Sequence, residues 1–144
     1  MTKIFETAED LANEQEVAAE LGALWDCEFK KLDRRYQADF MICKDSMAKA
    51  WAELKCRSHS SNDWSTVILE LDKCMRLSQL NLDTGLPSLF IVRWTDRIGW
   101  IEMNRPFLVK WINYNDRYND VDGSPCAVFN VKDFSFYGDS KDEF

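Results

Sequence analysis

Asp39, Glu53 and Lys55 make up the acidic and basic constellation of this 144-residue chain that looks built for chemistry. Two carboxylates that meet at one point can hold a hard divalent cation through oxygen, and an ammonium group beside them can steady negative charge growing on a reacting group. All three lie in the stretch Gln37 to Arg57, QADFMICKDSMAKAWAELKCR, which reads as two strands joined by a turn at Asp45 and Ser46. Side chains alternate between the faces of a strand, so Trp51, Glu53, Lys55 and Arg57 share a charged side, and Ala50, Ala52, Leu54 and Cys56 share an apolar one. In the first strand Asp39, Met41 and Cys43 lie opposite Phe40 and Ile42. Opposed residues of an antiparallel pair project to the same side, and the register that keeps like faces together sets Asp39 across from Glu53. At ~4.5 to 5.5 Å between opposed Cβ atoms, the two carboxylates could share one cation, with Lys55 on the same face. The plainer alternative makes Glu53 and Lys55 a solvated pair on an edge strand.

The elements around this hairpin have to position it. Thr7, with Asp10 three residues later, resembles a capping box and opens a helix to about Trp25. Leu11, Val17, Ala18, Leu21, Leu24 and Trp25 form its apolar stripe; Glu14 lies near the centre of that stripe, while Glu16 and Glu20 point away. A carboxylate there needs a partner, unless the helix end frays and lets it reach water. Asp26 to Leu32 reads as a first strand. The polar loop SHSSNDWS follows the hairpin, and its His59 could meet a phosphate, although a lone loop histidine is more often solvated. From Ser65 or Thr66 a second long helix is expected, TVILELDKCMRLSQL. Val67, Ile68, Leu71, Cys74 and Met75 share one face of it, and Lys73 falls on another with Leu69, Leu77 and Leu80. Asp83-Thr84-Gly85 ends this segment. SLFIVRW then reads as a buried central strand and IGWIEM as its hairpin partner. Phe107 to Trp111, an Asn- and Asp-rich connection YNDRYNDVDGSP, and a last strand AVFNVKDFSF complete the chain. The acidic connection lacks the pattern of a calcium loop.

The central pattern resembles the PD-(D/E)XK nuclease superfamily, in which a strand acid is followed by a spacer and a Glu-x-Lys on the next strand. Here Asp39 is followed by thirteen residues and then Glu53-Leu54-Lys55, with Ala38 where the name-giving proline would stand. A preceding helix, the hairpin, a polar loop, a further helix and an apolar strand follow the order of that core over roughly residues 8 to 103. The resemblance implies an α/β fold: a single-domain restriction-endonuclease-like core over residues 1–144, with a mixed central β-sheet flanked by helices. It implies phosphodiester hydrolysis assisted by Mg²⁺, with Mn²⁺ able to substitute. The ion would be held by Asp39, Glu53, the backbone carbonyl of Leu54, and Glu14 directly or through water. Lys55 would orient the nucleophile or stabilise growing charge. Lys73 would approach the scissile phosphate, unless it is merely solvated. A nucleic-acid substrate, most of all DNA, a homodimer and a small phage-encoded enzyme are implied in the same way.

Composition bounds these expectations. At 46% hydrophobic residues the chain can bury one sizeable core. It has no apolar run of roughly eighteen residues that could span a membrane and no apolar signal core at its start, so a cytoplasmic protein is expected. Five cysteines without a Cys-x-x-Cys pair point to reduced thiols, and a single histidine argues against a His-based zinc site. A net charge of −7 is unlike the basic body of many nucleic-acid binders. Part of it lies in Glu6, Glu9, Asp10, Asp139, Asp142 and Glu143, while Lys30, Lys31, Arg34 and Arg35, and Lys49, Lys55 and Arg57, gather basic charge near the hairpin. The charge keeps a second class open: a non-catalytic protein of nuclease-like fold that uses its acidic surface to bind or inhibit a protein partner.

Overall fold

The computed structural model describes residues 8–113 and 123–138. Helix α1 (Ala8–Trp25) is followed by β1 (Glu28–Lys31), β2 (Phe40–Lys44), β3 (Met47–Cys56) and β4 (Thr66–Glu70). Helix α2 (Leu71–Thr84) leads to β5 (Ser88–Arg93), β6 (Ile98–Glu102), β7 (Leu108–Asn113), β8 (Gly123–Asn130) and a short β9 (Ser135–Phe136). Thr7, the acids Glu6, Asp139, Asp142 and Glu143, and most of the Asn- and Asp-rich connection lie outside the described residues.

A six-stranded mixed sheet in the order β1-β2-β3-β5-β6-β9 forms the centre. Among the described residues its one parallel pairing joins β3 to β5, with Glu53 beside Phe90 and Lys55 beside Val92. Parallel neighbours need a long crossover, and β4 with α2 supplies it. On one face α1 lays Val17 and Leu21 over Phe40, Ile42, Ala50, Ala52, Leu54, Leu89 and Ile91. On the other, α2 and a three-stranded sheet, β4-β8-β7, cover Phe90, Val92 and Ile101 with Cys74, Leu77, Leu69 and Phe129. The alternating faces of β3 therefore serve two different cores. The face expected to be simply charged is covered by α2.

The central hairpin has the expected register at its acidic end, where Phe40 pairs with Ala52, Met41 with Trp51 and Ile42 with Ala50. A shift between Ile42 and Cys43 makes Lys49 an extra residue, a bulge that strengthens local twist. Asp45 and Ser46 both have positive φ, 53° and 65°, the twist-matched geometry of a two-residue hairpin turn.

Two elements depart from expectation: the expected single last strand is broken by a 3-10 turn at Val131–Asp133 into β8 and β9, which join different sheets, and the second helix starts late. Thr66–Glu70 is a strand, and the helix begins only at Leu71. The run Thr-Val-Ile is stiff at χ1 and favours a pleated surface, and its alternate residues Val67 and Leu69 are buried. Its ladder partner is β8, far along the chain, so the pairing leaves no local trace. On the shortened helix Cys74 and Leu77 face inward and Met75 is exposed; Ile68 and Leu69 do not belong to it. Gly85 closes α2 in the left-handed conformation, at φ 71°, and donates its N–H to the Asn81 carbonyl. In α1 the stripe holds at Val17 and Leu21, whereas Leu11 stays exposed.

Candidate active site

Asp39 stands just before β2 and donates its N–H to the Ala52 carbonyl, which brings its side chain level with the end of the β3 motif. Main-chain groups of odd β3 residues face β5, as Trp51 N–H to Pro87 and Arg57 N–H to Arg93 show. Those of even residues face β2. Beyond the last ladder pair, the Leu54 N–H therefore finds the Asp39 carboxylate, Oδ2 accepting at 3.0 Å. An extended residue directs its N–H and C=O to the same neighbour, so the Leu54 carbonyl also points to the Asp39 side. Its side chain meanwhile packs in the α1 core.

Glu53 is 3% exposed, a carboxylate buried between β3 and α2. Its Oε2 lies 3.6 Å from Lys55 Nζ and 3.4 Å from Lys73 Nζ, so strand and helix each bring one ammonium to one oxygen. Burial, reinforced by the neighbouring charge of Asp39, pushes the Glu53 carboxyl up to about 7, and the two lysines only partly offset this. Burial alone would lower the Lys73 pKa, but the charges of Glu53 and Asp39 win and raise it, so Lys73 stays protonated at neutral pH. The start of α2 after β4 decides this meeting, and Trp51 pins the far end of the helix through its Nε1–H to Thr84 Oγ1, 3.0 Å.

The structure thus gathers Asp39, Glu53, Lys55, Lys73 and the Leu54 main chain. Glu14 faces inward from α1 as its helical phase requires, and its Oε1 accepts from Lys31 Nζ at 2.9 Å. That ammonium also lies 4.0 Å from Asp39 Oδ1, so Lys31 stands between the helix acid and the strand acid. Lys31 is the residue that motif reasoning passed over. Alternation in β1 was the available signal, because it places Lys31 with Phe29 on the helix-facing side, opposite Phe40.

Other expected contributors lie elsewhere. Arg57 sends its guanidinium to the Ile68 carbonyl, 3.0 Å away, and ties β4 to β3, with burial lowering its pKa. His59 sits edge-on to Trp64 in a loop fastened to the β5–β6 turn by Ser61 and Asp96. Glu16, expected to point away, is held by Arg93 at 3.1 Å, and the same guanidinium reaches Asn13.

Asp39, Glu53 and the Leu54 carbonyl form an all-oxygen donor set of the kind a hard divalent cation takes. Among the described residues no three His, Cys, Asp or Glu side chains are grouped so as to hold an ion by themselves. The side-chain part of such a site is therefore the Asp39–Glu53 pair, completed by the main chain and water.

A family model described as "Phage putative PDDEXK endonuclease" matches residues 1–136. Among solved structures, Hjc, a Holliday junction resolvase of the archaeal hyperthermophile Archaeoglobus fulgidus, is similar with a TM-score of 0.58. The similarity covers 85% of this chain and 84% of that one at 9% identity, a likeness of fold. No curated protein matches the chain.

Proposed function

The chain belongs to this family of phage PDDEXK endonucleases, and from that premise we propose that it is a divalent-metal-dependent endonuclease acting on DNA. Asp39, Glu53 and the Leu54 carbonyl would hold Mg²⁺, or Mn²⁺ in its place. A bound ion supplies Lewis acidity toward the phosphate and makes water a better nucleophile.

The chain's own residues do the rest. Glu53 is a ligand only after losing its proton, and Lys55 and Lys73 favour that loss. Leu54 N–H holds the Asp39 carboxylate in place through its 3.0 Å hydrogen bond. Lys55 Nζ, on the same strand face as Glu53, orients the attacking water or meets the charge that grows on the phosphate oxygens. Lys73 Nζ approaches from α2 and can donate to a second phosphate oxygen or to the leaving oxygen.

The observation that carries this reading is the pair of ammonium groups on one oxygen of a buried Glu53 that also has Asp39 beside it. A structural ion pair needs one partner. A second carboxylate opposes ionisation and lends itself to binding a cation and charged substrate. The Hjc fold adds four-way DNA junctions to the substrates worth testing. We also propose one domain over residues 1–144, a homodimer, and action in the cytoplasm of a bacterial host. Among the described residues no helix is long and apolar enough to cross a membrane.

The test is cleavage of linear, supercoiled, single-stranded and branched DNA, beside RNA, with Mg²⁺ or Mn²⁺ and with EDTA. DNA cleavage that stops in EDTA is expected. Undiminished cleavage in EDTA overturns the metal dependence, and no cleavage of any substrate with either metal overturns the reading as a whole and favours the acidic-surface binding protein.

A further inference from the structure

Lys31 occupies an unusual place. Its ammonium lies 2.9 Å from Glu14 Oε1, 4.0 Å from Asp39 Oδ1 and 5.0 Å from the centroid of the Phe40 ring. The Glu14 side chain is only 13% exposed and that of Asp39 24%, so both acids are partly withdrawn from water. Two carboxylates from different elements, α1 and the β2 edge, thus share one tethered cation beside Asp39.

This arrangement bears on metal binding. Asp39 Oδ2 is engaged by the Leu54 N–H, and Oδ1 is the oxygen that faces Lys31. A divalent ion drawn to Asp39 has to contend with a positive charge already beside that oxygen. The shorter contact belongs to Glu14, so the helix acid pulls the ammonium toward α1 and away from Asp39.

We propose that Lys31 is a tethered counter-cation that competes with the divalent metal for Asp39, and that Glu14 acts on metal binding by holding Lys31 back and not as a ligand. Lys31 and Glu14 are in this sense positioning residues. The inference rests on the metal-dependent reading above. It differs from that reading in taking Glu14 out of the coordination sphere and in giving a role to a lysine outside the motif.

The experiment is calorimetric titration with calcium, without substrate, so turnover plays no part. Lys31→Met is expected to tighten calcium binding roughly tenfold, the scale of removing one charge within about 4 Å at a partly screened site. Lys31→Arg should restore wild-type affinity. Lys30→Met removes the same charge from a neighbouring residue paired with Glu28 at 3.0 Å and should leave affinity unchanged. Glu14→Gln should weaken binding in the wild-type background and lose most of that effect when combined with Lys31→Met. Should Lys31→Met fail to fold, Lys31→Gln carries the same expectation.

Unchanged or weaker binding in Lys31→Met overturns the proposal. So does an equal gain in Lys30→Met, or a Glu14→Gln loss as large with Lys31 replaced as with it present, which would make Glu14 a ligand. A wild-type protein that binds no calcium defeats the metal-dependent reading itself. Wild-type binding unmoved by Lys31→Met defeats this inference alone.

Discussion

Glu53 is ionised against resistance, because burial and the Asp39 charge both favour its neutral form. A carboxyl raised to about 7 from its ordinary value of 4.5 stabilises the fold at low pH and loses that contribution as pH rises through about 7. Metal-free protein should therefore be less stable at pH 8 than at pH 5 on this group's account, by at most on the order of 3 kcal/mol. Glu53→Gln should flatten that part of the profile; urea denaturation across pH in EDTA measures both, and an unchanged slope would assign the dependence to other groups. The two lysines and two acids also separate by role. Lys55→Ala should lower turnover by ~10² to 10³ while calorimetric calcium binding survives, because in the proposed mechanism Lys55 meets substrate charge and is no ligand. Asp39→Asn and Glu53→Gln should abolish both. Wild-type cleavage by Lys55→Ala, with unfolding of the two acid variants, would leave the hairpin a structural role only.

At the scale of elements, the β2–β3 hairpin and the start of α2 build the site. The hairpin turn puts Ser46 at φ 65°, a region in which a residue with a Cβ is disfavoured. Ser46→Gly should relieve this and stabilise the protein by about 0.5 to 1 kcal/mol, after allowance for the greater freedom of glycine in the unfolded chain. Thermal denaturation checks it, and a lower melting temperature would mean that the serine side chain makes a contribution the turn depends on. Helix α2 starts later than its sequence pattern suggests, yet Lys73 keeps its contact with Glu53. From Leu71 onward the expected helix is present, with Cys74 of one expected face and Leu77 of the other buried, whereas Met75 is exposed and Leu69 belongs to β4. Lys73 reaches Glu53 because it lies in the first turn of a helix that starts at Leu71.

For the molecule as a whole, one sheet is shared by two cores, with Leu54 packed toward α1 and its strand neighbour Glu53 facing α2. Neither core can be lost without exposing the other face of the same strands. We therefore expect residues 1–144 to unfold in one transition, with far-ultraviolet circular dichroism and tryptophan fluorescence giving coincident curves. Two separated transitions would divide the chain. The net charge of −7 acts at this scale too. A cluster of acids and lysines balances locally around Glu53, so the overall charge says little about the field a substrate meets there.

The hairpin, its register at the acidic end, the inward phase of Glu14 and the buried strand β5 are legible in the sequence alone. Each of these follows from local rules: alternation along a strand, like faces kept together across a turn, and the period of a helix. Tertiary structure decided what those rules cannot reach. Thr66–Glu70 became a strand because β8 returns to pair with it, Glu53 became buried because α2 crosses over its face, and Lys31 came between Glu14 and Asp39 because three separate elements meet there. Periodicity reports which side of an element a residue takes. What waits on that side is set by contacts between segments distant in the chain, and the chemistry of this site depends on those contacts.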